Sequence, residues 1–127
     1  MPERSAFQYT VLRVVPRVER GEFLNVGGVL FCPQRQYLGA RIELDAEKLY
    51  ALSPDCDPVA VRASLGAIAA VVAGAPGSGA LGAMTESERF GWAAAKSSTA
   101  IQPSEVHTGL TEDPAATVDR LFGALVA

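Results

Sequence analysis

One histidine, one tryptophan, two cysteines and two lysines are all that 127 residues hold of those types, and each scarcity removes a class of function. Cys32 and Cys56 are too few for a disulfide framework, form no CxxC pair and have no histidine nearby, so they read as ordinary thiols of a reducing cytoplasm. Zinc needs roughly three or four nitrogen or sulfur ligands, more than two cysteines and His107 supply, and no metal or other cofactor is expected. Lysine and arginine total 11 against 14 acidic residues, thinly spread, which argues against a surface built for nucleic acid. No apolar run approaches the roughly 20 residues needed to cross a bilayer. The opening MPERSAFQYT has charge but no apolar run behind it, so no secretory signal and no membrane partner are expected.

What remains is a chain with 49% apolar and 20% charged residues, the size and composition of one domain over residues 1–127. Residues 7–15, FQYTVLRVV, are β-branched and aromatic and carry apolar side chains at both parities, which predicts a central strand that Pro16 ends. RVERGE, residues 17–22, is too charged to bury and predicts a solvated turn. From 23 to 32, a period of two puts Leu24, Val26, Gly28 and Leu30 on one face and Phe23, Asn25, Gly27, Val29 and Phe31 on the other. The paired glycines point to a bulge or a close approach. Residues 36–44 alternate again after a turn at 33–35, giving an antiparallel meander of three strands.

The period then changes. Asp45 caps a short helix to about Leu52, and Asp57 with Pro58 opens a longer one. Val61, Leu65, Ile68 and Val72 form its apolar stripe, and Gly74 stops it. Residues 74–83 read as a small-residue loop. Thr85 and Glu88 have capping-box spacing for a helix to about Ala95. KSSTAIQ, 96–102, favours a fourth strand, and SEVHTGLTE after Pro103 reads as a polar turn. Asp113 and Pro114 start a last helix striped by Val118, Leu121, Phe122 and Leu125. The expected fold is α+β: a mainly antiparallel four-stranded sheet, three N-terminal strands plus one later strand, with helices packed on one face.

Two stretches concentrate chemistry. The first is the turn and its downstream strand, with Arg17, Glu19, Arg20, Glu22 and Asn25. Paired carboxylates suit a divalent cation or acid and base work, although charges in a hairpin tip serve equally well as solvated ion pairs. Asn25 is a primary amide inside an apolar strand, and its parity matches Arg41 and Glu43 on the third strand, which predicts a polar cluster on the sheet face away from the main core. The second stretch holds Lys96, Ser97, Ser98, His107 and Thr108. His107 is a general base by type but has no nucleophile elbow beside it. The hydroxyls and Lys96 suit an anion, yet the glycine run of a phosphate loop is missing.

The segments VPRVERGEFLNVGGVLF and ERFGWAAAKSSTAIQPSEVHTGL, with the Asp-Pro-led terminal helix carrying RLFGALV, resemble the bacterial domain of unknown function 3037 family over most of the chain. Arg20, Gly21, Glu22, Asn25, Gly27, Ser98, His107, Thr108 and Gly109 are the matching positions. Lys96 stands where the family implies arginine, which removes a planar bidentate donor there. The resemblance implies no activity; it implies a cytoplasmic protein with neighbours like the HipA-type kinases, hence an accessory or regulatory role. Three functions follow. The leading one is a non-enzymatic module that binds a protein partner through 17–25 and 96–109 as a joint surface. The second is a metal-assisted phosphoester hydrolase using Glu19, Glu22 and His107. The third is a structural subunit or homodimer that buries an outer sheet face of Phe23, Val29, Phe31 and Tyr37.

Overall fold

The computed structural model describes residues 3–95 and 100–126. Lys96, Ser97 and Ser98, with the first half of the expected fourth strand, lie outside them. The chain is α+β with an antiparallel sheet, as its patterning predicts. Strands β1 (Ser5–Val14), β2 (Leu24–Cys32) and β3 (Tyr37–Ile42) form the meander, joined by single 3-10 turns at Val18–Arg20 and Pro33–Arg35. Helices α1 (Ala46–Leu52), α2 (Pro58–Ala73), α3 (Gly79–Gly82) and α4 (Glu86–Ala94) follow; α3 lies in the stretch expected as loop. Then come β4 (Ile101–Pro103), β5 (His107–Thr111) and α5 (Pro114–Leu125).

The sheet has five strands rather than four. Its order is β3-β2-β1, and β1 carries two short neighbours on its far side, β4 against Leu12–Val14 and β5 against Ser5–Tyr9. Between them three residues, Ser104 to Val106, oppose only Thr10 and Val11. The ladder survives this extra residue because the Ser104 side chain steps into it. Val11 N donates to Ser104 Oγ at 2.8 Å, Ser104 N donates to Val11 O at 2.7 Å, and Thr10 Oγ1 donates to Ser104 O at 2.9 Å. Bridging by a side chain explains how a segment that reads as a polar turn runs as a strand.

A second irregularity re-sorts the faces of β2. Leu12 pairs Gly27 but Arg13 pairs Asn25, so Val26 is an extra residue and the parity flips there. Leu24 and Val26 thereby join Val29 and Phe31 on one face, in the large core with Leu12, Val14, Leu49, Val61, Leu65, Val72 and Phe90. Helices α1, α2 and α4 cover this side, and the Phe31 and Phe90 rings meet at 5.6 Å. Gly28 and Leu30 turn to the opposite face. There Phe7, Tyr9, Val11, Leu30 and Cys32 are covered by Val118 and Leu121 of α5. Helices therefore pack on both faces, because β1 and β2 carry more apolar surface than one layer can cover. Gly28 also permits a close approach, since a Cβ there would run into the Tyr9 phenol.

Three helices begin as expected: Asp45 accepts from Glu47 N and Lys48 N, Asp57 from Val59 N, and Asp113 from Ala116 N. Thr85 and Glu88 close a complete capping box. The outer apolar face expected for a homodimer is already covered largely within the chain's own fold. Val29 and Phe31 are buried in the core and Tyr37 packs beside α5, so Phe23 is the one member of that set left largely exposed.

Candidate functional site

Arg17, Glu19, Arg20, Glu22 and Asn25, five of the eight sequence-predicted polar residues that lie among the described ones, collect at the end of the sheet where β1 turns into β2. Beyond Pro16 the chain makes one 3-10 turn, and Gly21 takes a left-handed backbone (φ 69°) that brings it back. The turn stands beside the end of α1, and a cleft of about 110 Å³ opens between them, lined by Pro16, Arg17, Arg20 and Glu22 on one side and Leu52, Ser53, Pro54 and Asp55 on the other. Arg20 is ion-paired with Glu22, and Arg17 approaches Asp55 at 4.0 Å, both pairs well exposed. Exposed pairs of this kind contribute only about 0 to 1 kcal/mol. They can exchange partners at little cost, which suits recognition better than bracing. Glu19 is exposed on the same turn.

On the α5 face of this end lies a polar row that patterning only half disclosed. Asn25 of β2, Arg13 of β1 and Gln102 of β4 are neighbours in register. Asn25 Nδ2 donates to Leu125 O at the last turn of α5 at 3.0 Å, whereas its Oδ1 is buried with no partner among the described residues. Arg13 lies with its guanidinium 4.3 Å over the Phe23 ring, and its Nε is also buried and unpartnered. Tyr9, on the same face of β1, is 1% exposed, and its hydroxyl has no partner among the described residues. Burial raises the Tyr9 pKa above its ordinary value. Arg41 joins this face as parity predicts, but its task is local: it bonds Asp119 at 3.1 Å and covers the Phe122 ring at 4.4 Å, fixing α5 over β3. Arg13 was hidden by its setting, one charge within FQYTVLRVV. Its odd parity with Phe7, Tyr9 and Val11 was the available signal.

The sequence model of one protein family matches residues 9–126, nearly the whole chain. The chain belongs to the family of proteins of unknown function DUF3037. No curated protein and no solved structure matches it.

Within this DUF3037 chain the family-like positions divide between two places. Arg20, Gly21, Glu22 and Asn25 belong to the turn end, and Gly27 sits at the β2 bulge. His107, Thr108 and Gly109 run along β5, where His107 pairs with Tyr9 and Thr108 with Gln8. His107 and Thr108 are strand residues, exposed, and not members of a loop. Tyr9 is five residues from Val14 along β1, which at about 3.3 Å per residue puts His107 roughly 17 Å from the turn. Glu19 and Glu22 therefore do not converge with His107, and among the described residues no three histidine, cysteine, aspartate or glutamate side chains are grouped to hold a metal ion. Of the second segment expected to share a surface with 17–25, His107 stands apart from the turn itself. What the second segment brings to the turn is its β4 end, with Ile101 opposite Val14 and Ala100 O accepting from Val15 N at 2.6 Å.

Proposed function

We propose that this DUF3037 chain is a non-enzymatic binding module that docks a protein partner on the turn end of its sheet. The observation carrying this proposal is the cleft between the 16–22 turn and the end of α1, whose polar lining is Ser53 together with the exposed, exchangeable pairs Arg17–Asp55 and Arg20–Glu22. Its volume accommodates about one small side chain. Next in the chain after Glu22 is Phe23, 47% exposed and stacked with Arg13. An accessible aromatic next to arginines is the composition that dominates binding energy at protein interfaces. His107 and Thr108 are left out, since β5 carries them to the other half of β1.

Capture from a native lysate tests this, using wild type, an Arg17→Ala, Glu22→Ala double variant and a His107→Ala control, with HipA-type kinases as the first partner class to examine. A partner retained by wild type and by the control but lost from the double variant is the expected result. Identical partners for all three would remove the proposed surface.

A further inference from the structure

The two edges of the sheet are built differently. At β3, α2 packs on one face and α5 on the other, and Arg41 is tied to Asp119, so that edge is flanked and carries a charge. At β5, β1 is the one strand paired among the described residues, and no helix packs along it. Charge, proline or a covering element usually protects an edge from strand addition. From Val106 to Thr111 the chain has no lysine, arginine, acidic residue or proline. Val106, just before β5, is 41% exposed, Leu110 is 60% exposed, and Thr108 between them is exposed as well. The β1 residues opposite Thr108 and Leu110, Gln8 and Ala6, are also exposed, so this half of the sheet face lies beyond the helices that cover the rest.

The backbone decides which groups point away from β1. Ser104 N donates to Val11 O and Val11 N donates to Ser104 Oγ, so the main-chain groups of Val11 face the β4–β5 side. Main-chain groups alternate sides along a strand, so those of Tyr9 and Phe7 face the same way, toward their partners His107 and Gly109. Thr108 and Leu110 then direct their N–H and C=O groups outward, and Val106 continues the series. This outward set is symmetric about Thr108, with an exposed apolar residue two positions to either side.

We infer that β5 pairs antiparallel with β5 of a second copy about a two-fold axis at Thr108, joining two sheets into one. In that register Thr108 faces Thr108, and Val106 faces Leu110 on both sides of the axis. The outward main-chain groups of each pair meet, and the valine and leucine make cross-strand apolar contacts on the uncovered face. His107 falls opposite Gly109, which leaves room for the ring. Glu105 falls opposite Thr111 and Glu112 opposite Ser104, so no like charges oppose each other. A slip of one residue sets outward groups against inward ones. A slip of two sets Val106 against Glu112 or Leu110 against Ser104. The edge therefore matches its own copy in one register, which is why a second copy is the occupant. β5 lies away from the turn, and the inference does not depend on the docking proposal.

Sedimentation equilibrium of the whole chain, from micromolar to millimolar concentration, reads the association, and a concentration-dependent dimer is expected. Leu110→Lys puts a charge on the edge and should weaken the dimer about tenfold or more. Thr108→Pro removes an outward donor without touching the β1 ladder and should weaken it about as much. Tyr50→Lys, at a 67% exposed site on α1, should leave it unchanged. Cysteine substitution then reads the register in a Cys56→Ser background, where the remaining Cys32 is buried. Thr108→Cys faces its own counterpart at a Cα separation of about 5.5 Å and should crosslink on oxidation. Leu110→Cys is held roughly 13 Å from its counterpart and should not. A chain that stays monomeric throughout, a dimer unaffected by Leu110→Lys and Thr108→Pro, or equal crosslinking from positions 108 and 110 would each overturn the inference.

Discussion

The two seams of β1 handle buried polar groups in opposite ways. On the β4–β5 side every buried hydroxyl among the described residues has work within the fold: Thr10 and Ser104 stitch the ladder, Ser5 accepts from Arg35 Nε at 3.1 Å, and Thr111 meets Thr117 of α5 at 2.6 Å. On the β2 side, under α5, Tyr9 hydroxyl, Arg13 Nε and Asn25 Oδ1 are buried without partners among the described residues. Satisfied groups of the first kind specify a register; unmet groups of the second kind cost stability that the fold does not recover. The contrast separates buried polar groups that brace the architecture from those that only burden it.

The comparison is broken most severely at Gly28, the position that lets the Tyr9 ring lie flat on β2. Gly28→Val places a branched side chain where the phenol packs, and neither the strand nor a 1% exposed tyrosine has room to yield. Overpacking of this kind costs about 3 kcal/mol or more. Denaturant unfolding should show that loss, or no folded protein at all. A Gly28→Val variant of nearly wild-type stability would mean that the seam is loose and its unmet groups are not truly confined.

Next in size is Ser104→Ala on the satisfied side. The variant leaves Val11 N, a buried ladder donor, without its acceptor, and such an orphan costs about 1 to 3 kcal/mol. Amide exchange at Val11 should accelerate along with the loss of stability. Little change in either would show that the β4–β5 bulge does not depend on the serine.

Much of this organisation was legible in the letters. The Asp-Pro pairs and the Thr85 box announced their helices, because capping is a local bond between residues two or three apart. The meander was legible through its period of two, and Asn25 and Arg41 were placed on one face. The bulge at Val26 was signalled by the glycines but not located, so Leu24 and Val26 were sorted with Leu30 when they belong with Val29. β5 escaped notice because HTGLT has no apolar alternation, its inward positions being Gly109, under the Phe7 ring, and Thr111. The pairing of β5 with β1 is set by residues about a hundred positions apart, which no local pattern encodes. The same long reach hid the split between His107 and the turn.

The smallest expected effect is the sharpest test of the contrast. Tyr9→Phe removes a hydroxyl that bonds to nothing among the described residues while keeping the ring on Gly28, so at neutral pH stability should change by less than about 0.5 kcal/mol or rise. Alkaline pH makes the difference visible. Burial raises the Tyr9 pKa above the ordinary 10.0, so the folded chain keeps a proton that the unfolded chain releases. Above pH 10 the unfolded state is therefore favoured, and stability falls with a slope of at most about 1.4 kcal/mol per pH unit from this group. Tyr37, raised by burial and then by Asp119 and Asp113, contributes a similar fall that the variant retains. Urea unfolding between pH 8 and 11 should thus show wild type and Tyr9→Phe together at the low end and the variant less destabilised at the high end. A clear loss of stability at neutral pH would instead mean that the hydroxyl has a partner, placing Tyr9 with the stitched hydroxyls of β5 and leaving Arg13 and Asn25 as the unmet pair.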